Sequence, residues 1–325
     1  MKVLVVGLGS MGKRRIRLMR QLYGEDIQIF GVDNNISRAM EVAKEFHISC
    51  YDSITKAHNE EVFDSGFVCT APLYHEKIIR ELWNMGLHVF TELNLVSNGY
   101  NDFMKYEHSD RILFLSSTLI YRKDIQYIGE SVKNQVVDYM YHTGQYLPDW
   151  HPWENYKEYF VSNRKTNACR EIFAIDLPWI IKCFGRIKNY EVKKSKISKL
   201  EVNYSDNYMM IIEHENGTKG MICVDVVSRK AMRRLEVFNE DTHIFWEGTP
   251  NSLAIFNSRT KEIEDVKVYD LVEKDSSYCE NIIENAYMEE IKVFFEAIKN
   301  QDKSKIRYTF WEDRELLSII DQLEN

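Results

Sequence analysis

Several features that would place the protein in a special class are missing from its sequence. The six cysteines form no Cys-x-x-Cys pair, so we expect reduced thiols in a cytoplasmic protein, with no disulfide and no metal site. No segment approaches the ~20 apolar residues of a membrane helix. The net charge is -8 with both signs dispersed, which indicates no surface for nucleic acid or anionic lipid.

The amino-terminal stretch MKVLVVGLGSMGKRR combines a strand, a glycine turn and a helix start. Gly7, Gly9 and Gly12 have G-x-G-x-x-G spacing after a run rich in β-branched residues. The first glycine permits a tight turn, the second lets the backbone approach a pyrophosphate, and the third lets the helix pack on the strand. The helix amino end then favours phosphate. The predicted cofactor contacts here are Gly7, Gly9, Ser10, Met11 and Gly12.

An acidic residue follows the second predicted strand, residues 27–32. Asp33 lies about 20 residues past the glycines, where a dinucleotide-binding fold places an acid that binds the adenosine ribose hydroxyls. Its charge would repel a 2'-phosphate, so NAD is expected rather than NADP, with Arg38 as a further contact. Alternatively, Asp33 and the two asparagines after it only cap the following helix, predicted at 36–46.

A repeating strand–helix pattern continues to residue 116 and predicts a doubly wound parallel sheet, a Rossmann fold. Ligands of such sheets bind at the carboxyl ends of the strands. Alternating strand patterns follow from residue 136, including a strand at 192–200, with a strong hairpin signal at Asn216-Gly217, and predict an α+β domain with a large open, mainly antiparallel sheet. We predict a dinucleotide-binding domain at 1–120, onto which the C-terminal helix packs, and a substrate-binding and oligomerisation domain at 121–325.

The stretch TAPLYHEKIIRELWNMGLHVFTELNL, residues 70–95, resembles the glucose-fructose oxidoreductase and inositol dehydrogenase family, called Gfo/Idh/MocA. Its Thr-x-Pro-x-x-His followed by Gly-x-His-Val carries the resemblance, together with the glycine turn, and the likeness extends over essentially the whole chain. The resemblance implies further cofactor contacts at Thr70, Ala71, Pro72, His75, Glu92 and Asn94. An alternative for His75 is a helix-start histidine without a ligand.

The sequence departs from the family at its Glu-Lys-Pro motif, which here reads Glu92-Leu93-Asn94. The resemblance implies that the lysine contacts the nicotinamide ribose and a substrate hydroxyl. A leucine can neither donate a hydrogen bond nor remove a proton. Relatives such as biliverdin reductase resemble the family without this lysine and still reduce with cofactor hydride, so its loss does not exclude chemistry.

The family's Asp-x-x-x-His motif is incomplete as well. Alignment on the Phe184-Gly185 end of the helix places Glu171 and Ile175 at the two positions, whereas alignment on Asp176 retains no acid. We prefer the first register because a hydrophobic helix that leads into Phe-Gly should not change length freely. In either register the family histidine is absent.

Three side chains are candidate replacements for the missing catalytic groups: Glu171, His151 and Lys165. Partial burial would raise the pKa of a carboxyl at position 171 toward working pH, which suits a general base. Alternatively, Glu171 forms an ion pair with Arg170, Arg122 or Lys182, and Lys165 is a solvated loop charge.

An aromatic loop, residues 145–159, reads QYLPDWHPWENYKEY. Aromatic faces beside hydrogen-bonding groups suit a sugar ring, although the loop could equally join the two domains. A similar Trp-His-Pro-Trp loop occurs in family members encoded with surface-glycan pathways, so the resemblance implies a sugar or sugar nucleotide. The predicted substrate-binding residues are Arg122, Tyr146, Trp150, Trp153, Arg170 and Asp176.

The sequence therefore predicts an NAD(H)-dependent oxidoreductase that moves hydride between nicotinamide and a sugar, sugar nucleotide or related polyol. The alternative is a non-catalytic NAD(P)-binding sensor or assembly protein that kept the fold without the lysine and histidine. The resemblance also implies a homodimer or homotetramer that forms through the open sheet.

Overall fold

The computed structural model describes residues 1–151, 154–275 and 280–325. Contacts divide the chain into two compact units, which are described separately below. The first unit contains Met1–Ser117 and Tyr287–Leu317, and the second contains Thr118–Ala286 and Ser318–Asn325.

The described residues form the following strands and helices. The strands are β1 Lys2–Val6, β2 Gln28–Val32, β3 Ser49–Tyr51, β4 Ser65–Val68, β5 His88–Thr91, β6 Leu113–Leu115, β7 Asp138–Gly144, β8 Ile187–Ser195, β9 Asn207–His214, β10 Lys219–Asp225, β11 Met232–Phe238, β12 His243–Trp246, β13 Ala254–Asn257 and β14 Glu262–Asp265. The helices are α1 Ser10–Tyr23, α2 Ile36–Phe46, α3 Ile54–Glu60, α4 His75–Asn84, α5 Tyr100–Tyr106, α6 Lys123–Ser131, α7 Ala168–Phe184, α8 Glu284–Asn300 and α9 Phe310–Glu324.

The first unit contains a six-stranded parallel sheet in the order β3-β2-β1-β4-β5-β6. This is the strand order of dinucleotide-binding Rossmann folds, so the predicted fold class is confirmed. The sheet is buried because its strands carry apolar runs, and β1 is almost wholly inaccessible. Phe294 of α8 packs its ring edge-on against Phe67 and Phe90, with ring centroids 5.4 and 5.6 Å apart.

The second unit is built on an eight-stranded sheet in the order β14-β13-β12-β11-β7-β10-β9-β8. All neighbouring strands are antiparallel except β7 and β10, which confirms the mainly antiparallel prediction. The predicted hairpin joins β9 to β10, and Gly217 in its turn has φ of 90°, a conformation that glycine adopts without steric cost. Alternate residues of β9 and β10 are buried, while Met209, Ile211 and Met221 point outward.

Two strands differ from the sequence prediction. The strand expected at 192–200 ends at Ser195, because the backbone N–H groups of Ile197 and Ser198 donate to the Asp206 carboxylate instead of a neighbouring strand. The strand β14 was not predicted. Its sequence, EIED, is exposed throughout and therefore lacks an alternating apolar pattern.

Among the described residues, no helix has both the length and the apolar character needed to cross a membrane.

Candidate functional site

The glycine turn between β1 and α1 has the geometry that its spacing predicts. Gly7 has φ of 93°, and a Cβ there would lie 2.7 Å from the Cys69 carbonyl group. A Cβ on Gly12 would lie 2.0 Å from the Gly7 carbonyl oxygen, whereas a Cβ on Gly9 would meet no atom within 4 Å. The first and third glycines are thus required for packing, and open space above the second is available for a ligand to approach.

The amino end of α1 offers favourable electrostatics for a phosphate. Gly9 is the N-cap residue and contributes no side-chain cap, and the first turn contains no acidic residue. The backbone N–H groups of that turn and the helix dipole therefore present partial positive charge. Ser10 and Met11 begin this helix. All five predicted pyrophosphate contacts therefore lie within residues 7–12.

Asp33 is buried at the carboxyl end of β2, and the protein already uses both of its carboxylate oxygens. Oδ2 accepts from the Leu8 backbone N–H at 2.9 Å and lies 3.3 Å from the Arg38 guanidinium, while Oδ1 accepts from the Asn35 backbone N–H at 2.8 Å. The cap of α2 is Asn35, whose Oδ1 accepts from the Arg38 backbone N–H at 3.1 Å. Asp33 thus fixes the glycine turn, and its ribose contact stays a prediction.

The carboxyl end of β4 leads into the predicted nicotinamide residues. The buried Thr70 Oγ1 has no hydrogen-bond partner within the described residues, so this hydroxyl can bind a ligand. Ala71 precedes a 3₁₀ turn that Pro72 begins. An orphaned buried hydroxyl and the uncapped helix start both fit a bound dinucleotide.

His75 is 2% exposed, and both ring nitrogens contact the protein. Nε2 lies 2.8 Å from the Thr70 carbonyl oxygen and Nδ1 lies 2.6 Å from the Asn94 side-chain oxygen. Burial lowers the pKa of His75, and a neutral ring donates at one nitrogen only, so one contact requires the Asn94 amide in its flipped orientation. These contacts favour the helix-start alternative, and a cofactor role for His75 and Asn94 stays a prediction.

Glu92 anchors the end of β5 within the first unit. Its carboxylate lies 2.6 Å from the fully buried Arg15 guanidinium, which also pairs with Glu290 at 2.8 Å. Glu290 in turn accepts from the Ser116 hydroxyl at 2.8 Å. The acid of the altered Glu-Leu-Asn motif therefore joins α1, β5 and α8, and Leu93 beside it is half-buried.

In the second unit, Glu171 lies in the first turn of α7 with an unsatisfied carboxylate oxygen. Its Oε2 is buried and has no hydrogen-bond partner within the described residues. Burial raises the pKa of this carboxyl to about 8. Two of the expected ion-pair alternatives do not hold, because Arg170 pairs with Asp321 and Glu324 and Arg122 pairs with Asp124.

Tyr159 lies near Glu171 and beside His151. Burial raises the pKa of the Tyr159 hydroxyl, and the nearby Glu171 charge raises it further. The His151 and Tyr159 rings have centroids 4.8 Å apart. The Tyr159 oxygen is a second buried polar atom without a partner within the described residues. Tyr159 ends the aromatic loop but was not predicted as a site residue, because a loop pattern does not show which ring turns inward.

The remaining loop candidates have other surroundings. Lys165 is exposed in a 3₁₀ turn, as its solvated alternative requires. The Arg229 guanidinium stacks over the Tyr146 ring at 3.7 Å, and the Trp150 Nε1 donates to the Gln145 carbonyl oxygen at 3.1 Å. Trp153 lies outside the described residues.

Three predicted substrate-binding residues hold the framework of the second unit. Asp176 is 2% exposed and accepts from Tyr141, Trp179 and Arg233. The Arg170 guanidinium donates to the carboxylates of Asp321 and Glu324 on α9. Arg122 donates to the carbonyl oxygens of Asn281 and Gly248 as well as to Asp124. Their polar atoms are used within the protein, so their substrate role stays a prediction that this placement does not favour.

Comparison with known proteins agrees with the nucleotide half of this site. Residues 1–97 match the family model GFO_IDH_MocA, described as an oxidoreductase family with an NAD-binding Rossmann fold. The resemblance to the Gfo/Idh/MocA family is therefore confirmed, and the part that matches the family model is the NAD-binding Rossmann region. Among curated proteins, no sequence matches significantly.

Solved structures share the fold over nearly the whole chain. UDP-N-acetylglucosamine 3-dehydrogenase from Acidithiobacillus ferrooxidans is 16% identical with a TM-score of 0.75, covering 99% of this chain and 96% of its own. Levoglucosan dehydrogenase in complex with NADH and L-sorbose is 14% identical with a TM-score of 0.78, covering 99% and 95%. An oxidoreductase from Agrobacterium radiobacter, in complex with NAD+, L-tartaric acid and magnesium, is 10% identical with a TM-score of 0.77, covering 99% and 94%.

Proposed function

We propose that this protein is an NAD(H)-dependent oxidoreductase that interconverts a carbinol and a carbonyl group on a sugar, sugar nucleotide or related polyol. The observation that carries the proposal is the half-buried Glu171 carboxyl, whose Oε2 is buried without a partner within the described residues and whose pKa of about 8 suits proton transfer near neutral pH. It occurs in a chain whose first 97 residues match a family with an NAD-binding Rossmann fold.

The glycine turn and α1 hold the pyrophosphate, and Asp33 binds the adenosine ribose. Thr70 binds the nicotinamide end through its free hydroxyl. When bound, NAD supplies the hydride acceptor, or as NADH the donor, that no amino-acid side chain provides.

In the oxidation direction, the ionised Glu171 carboxylate accepts the proton of the substrate hydroxyl. The buried Tyr159 hydroxyl donates a hydrogen bond to the same substrate oxygen and orients it. The His151 ring beside Tyr159 holds the phenol ring in place. Glu171 thereby takes the acid–base role of the family's lysine and histidine, which are absent from this sequence.

Two observations support a sugar as the substrate class. Two proteins with similar structures are named for sugar substrates, UDP-N-acetylglucosamine 3-dehydrogenase and levoglucosan dehydrogenase. The half-buried rings of Tyr146 and Trp150 belong to a loop that can cover a sugar face. A place in surface-glycan biosynthesis is a prediction from the resemblance of this loop.

A substrate panel tests the proposal. Purified protein is incubated with NAD+ and individual UDP-sugars, free sugars and polyols, and NADH formation is followed by absorbance. We expect NADH with at least one sugar-class compound and none with simple alcohols. Activity with simple alcohols alone would contradict the proposed substrate class.

Leu93 favours one competing function, a non-catalytic sensor or assembly protein that binds the dinucleotide. An apolar residue at the lysine position is what loss of catalysis would leave. The buried Oε2 of Glu171, which has no partner within the described residues, argues against it, because such an atom is costly without a role. NADH binding without turnover of any compound in the panel would favour the sensor.

The cofactor preference rests on Asp33. We expect NADH to bind about tenfold or more tightly than NADPH, which corresponds to ~1.4 kcal/mol, because the carboxylate repels a 2'-phosphate. Asp33→Asn keeps a side-chain oxygen that can accept from the Leu8 backbone N–H but removes the charge. It should therefore lower the ratio of NADH affinity to NADPH affinity. Fluorescence titration of both cofactors measures this ratio. Equal binding by the unaltered protein would refute the assignment.

We further propose that the open face of the second unit's sheet pairs two copies of the chain. Met140, Met209, Ile211 and Met221 expose 41–60% of their surface on neighbouring strands, an apolar patch of the kind found at interfaces. Met221→Glu should convert a dimer or tetramer into smaller species in sedimentation experiments. The matched control is Met40→Glu, at a 69% exposed methionine of α2. A monomeric unaltered protein would contradict the proposal.

A further inference from the structure

A cluster of three different metal-ligating side chains lies on the open face of the second unit's sheet, outside the site described above. His142 on β7 pairs in register with Cys223 on β10, and Asp225 follows two residues along β10 on the same face. Their nearest ligand atoms, an imidazole nitrogen, the thiol sulfur and a carboxylate oxygen, all lie within 4.8 Å of one another.

The surroundings hold the ligand atoms in place. Asp225 Oδ1 accepts from the backbone N–H groups of Val227 and Ser228 at 2.8 and 2.7 Å, and Oδ2 lies 2.7 Å from His142 Nε2. The carboxylate is therefore oriented by further hydrogen bonds, as ligating carboxylates in metal sites are.

Space above the carboxylate is kept by a glycine. Gly144 pairs in register with Asp225, and a Cβ there would lie 2.6 Å from Asp225 Oδ2. Arg234 is a positively charged neighbour of the cluster, and its guanidinium lies 3.6 Å from the Glu247 carboxylate. The cluster is partly open, since the His142 side chain is 36% exposed and that of Asp225 is 4% exposed.

We propose that His142, Cys223 and Asp225 bind one zinc ion, with water or another ligand in the fourth coordination position. Thiolate, imidazole and carboxylate are the ligands that zinc takes in proteins, at about 2.0–2.3 Å in tetrahedral geometry. A thiolate and a carboxylate neutralise the charge of Zn²⁺. Binding replaces the His142–Asp225 hydrogen bond and releases the thiol proton together with the proton held in that hydrogen bond.

Zinc titration of the chelator-treated full-length protein tests this site, with a chromophoric chelator as competitor. We expect one ion per chain, and affinity at least about tenfold weaker in Cys223→Ser and in His142→Ala. The matched control is Cys50→Ser, at another half-buried cysteine, which should bind as the unaltered protein does. Cobalt should give a thiolate charge-transfer band that Cys223→Ser lacks.

A second measurement needs no variant and so does not depend on variant folding. Zinc should slow the alkylation of Cys223 by iodoacetamide at least about tenfold in the unaltered protein, by mass spectrometry of its peptides, while alkylation of Cys50 is unchanged. No stoichiometric binding, or equal affinity in Cys223→Ser, would overturn the proposal. A measurable alkylation rate of Cys223 that is the same with and without zinc would overturn the proposal as well.

Discussion

Replacing Glu171 with glutamine should lower the rate of substrate oxidation by about 10²–10⁴-fold, the range attributed to a positioned general base. Glutamine has nearly the same size and keeps a side-chain oxygen, but it cannot accept a proton. NADH affinity should be unchanged, because no predicted cofactor contact involves Glu171. The measurement compares steady-state rates and NADH titrations of the two proteins.

The pH dependence supplies a second readout for Glu171. Because its carboxyl has a pKa raised to about 8, the ionised base form is the minor one below that pH and the major one above it. The oxidation rate should therefore rise as pH increases through about 8. Glu158→Gln, at an exposed carboxylate of the same unit, is the control and should keep both rate and profile. An oxidation rate in Glu171→Gln close to that of the unaltered protein would exclude the base assignment.

Gly9→Ala and Gly12→Ala should separate cofactor binding from folding. A Cβ at position 12 would lie 2.0 Å from the Gly7 carbonyl oxygen, so Gly12→Ala should lower the free energy of unfolding by about 1–3 kcal/mol. A Cβ at position 9 meets no protein atom within 4 Å and enters the space that a pyrophosphate approaches. Gly9→Ala should therefore weaken NADH binding at least about tenfold.

The unfolding free energy of Gly9→Ala should stay within about 0.5 kcal/mol of the unaltered protein, while Gly12→Ala should lose both stability and affinity. Denaturant unfolding and NADH fluorescence titration measure the two quantities. Unchanged NADH affinity in Gly9→Ala would place the pyrophosphate elsewhere. Unchanged stability in Gly12→Ala would contradict the close packing of α1 against the turn.

The elements that the sequence predicts well are those specified by local patterns. The glycine turn, α2 at Ile36–Phe46 and the Asn216-Gly217 hairpin each depend on residues close together in the chain, so spacing alone identifies them. The strand β8 was displaced in the prediction because the Asp206 side chain, 11 residues beyond its end, captures the backbone that would have extended it.

The candidate site was only partly predictable because its contacts join distant residues. Glu171 could be predicted as a partly buried acid on a helix, but Tyr159 beside it could not, since no local pattern shows which ring of an aromatic loop packs inward. Asp176 looked like a substrate ligand by its helix position. Its partners Tyr141 and Arg233 come from two strands, β7 and β11. They give Asp176 a structural role that the sequence does not reveal.

The proposed zinc site illustrates the same point. His142 and Cys223 are 81 residues apart, and the absence of any Cys-x-x-Cys pair led to the expectation of no metal site. Only the parallel pairing of β7 with β10 brings their side chains together on one face.

The most direct measurement of the central claim is an experimental structure of the protein with NADH and a sugar nucleotide bound. A Glu171 carboxylate oxygen within about 3.2 Å of a substrate hydroxyl, with the Tyr159 hydroxyl on the same substrate oxygen, is the predicted result. A substrate hydroxyl at the reacting carbon that contacts no titratable side chain, with Glu171 still buried away from it, would contradict general-base catalysis by this residue.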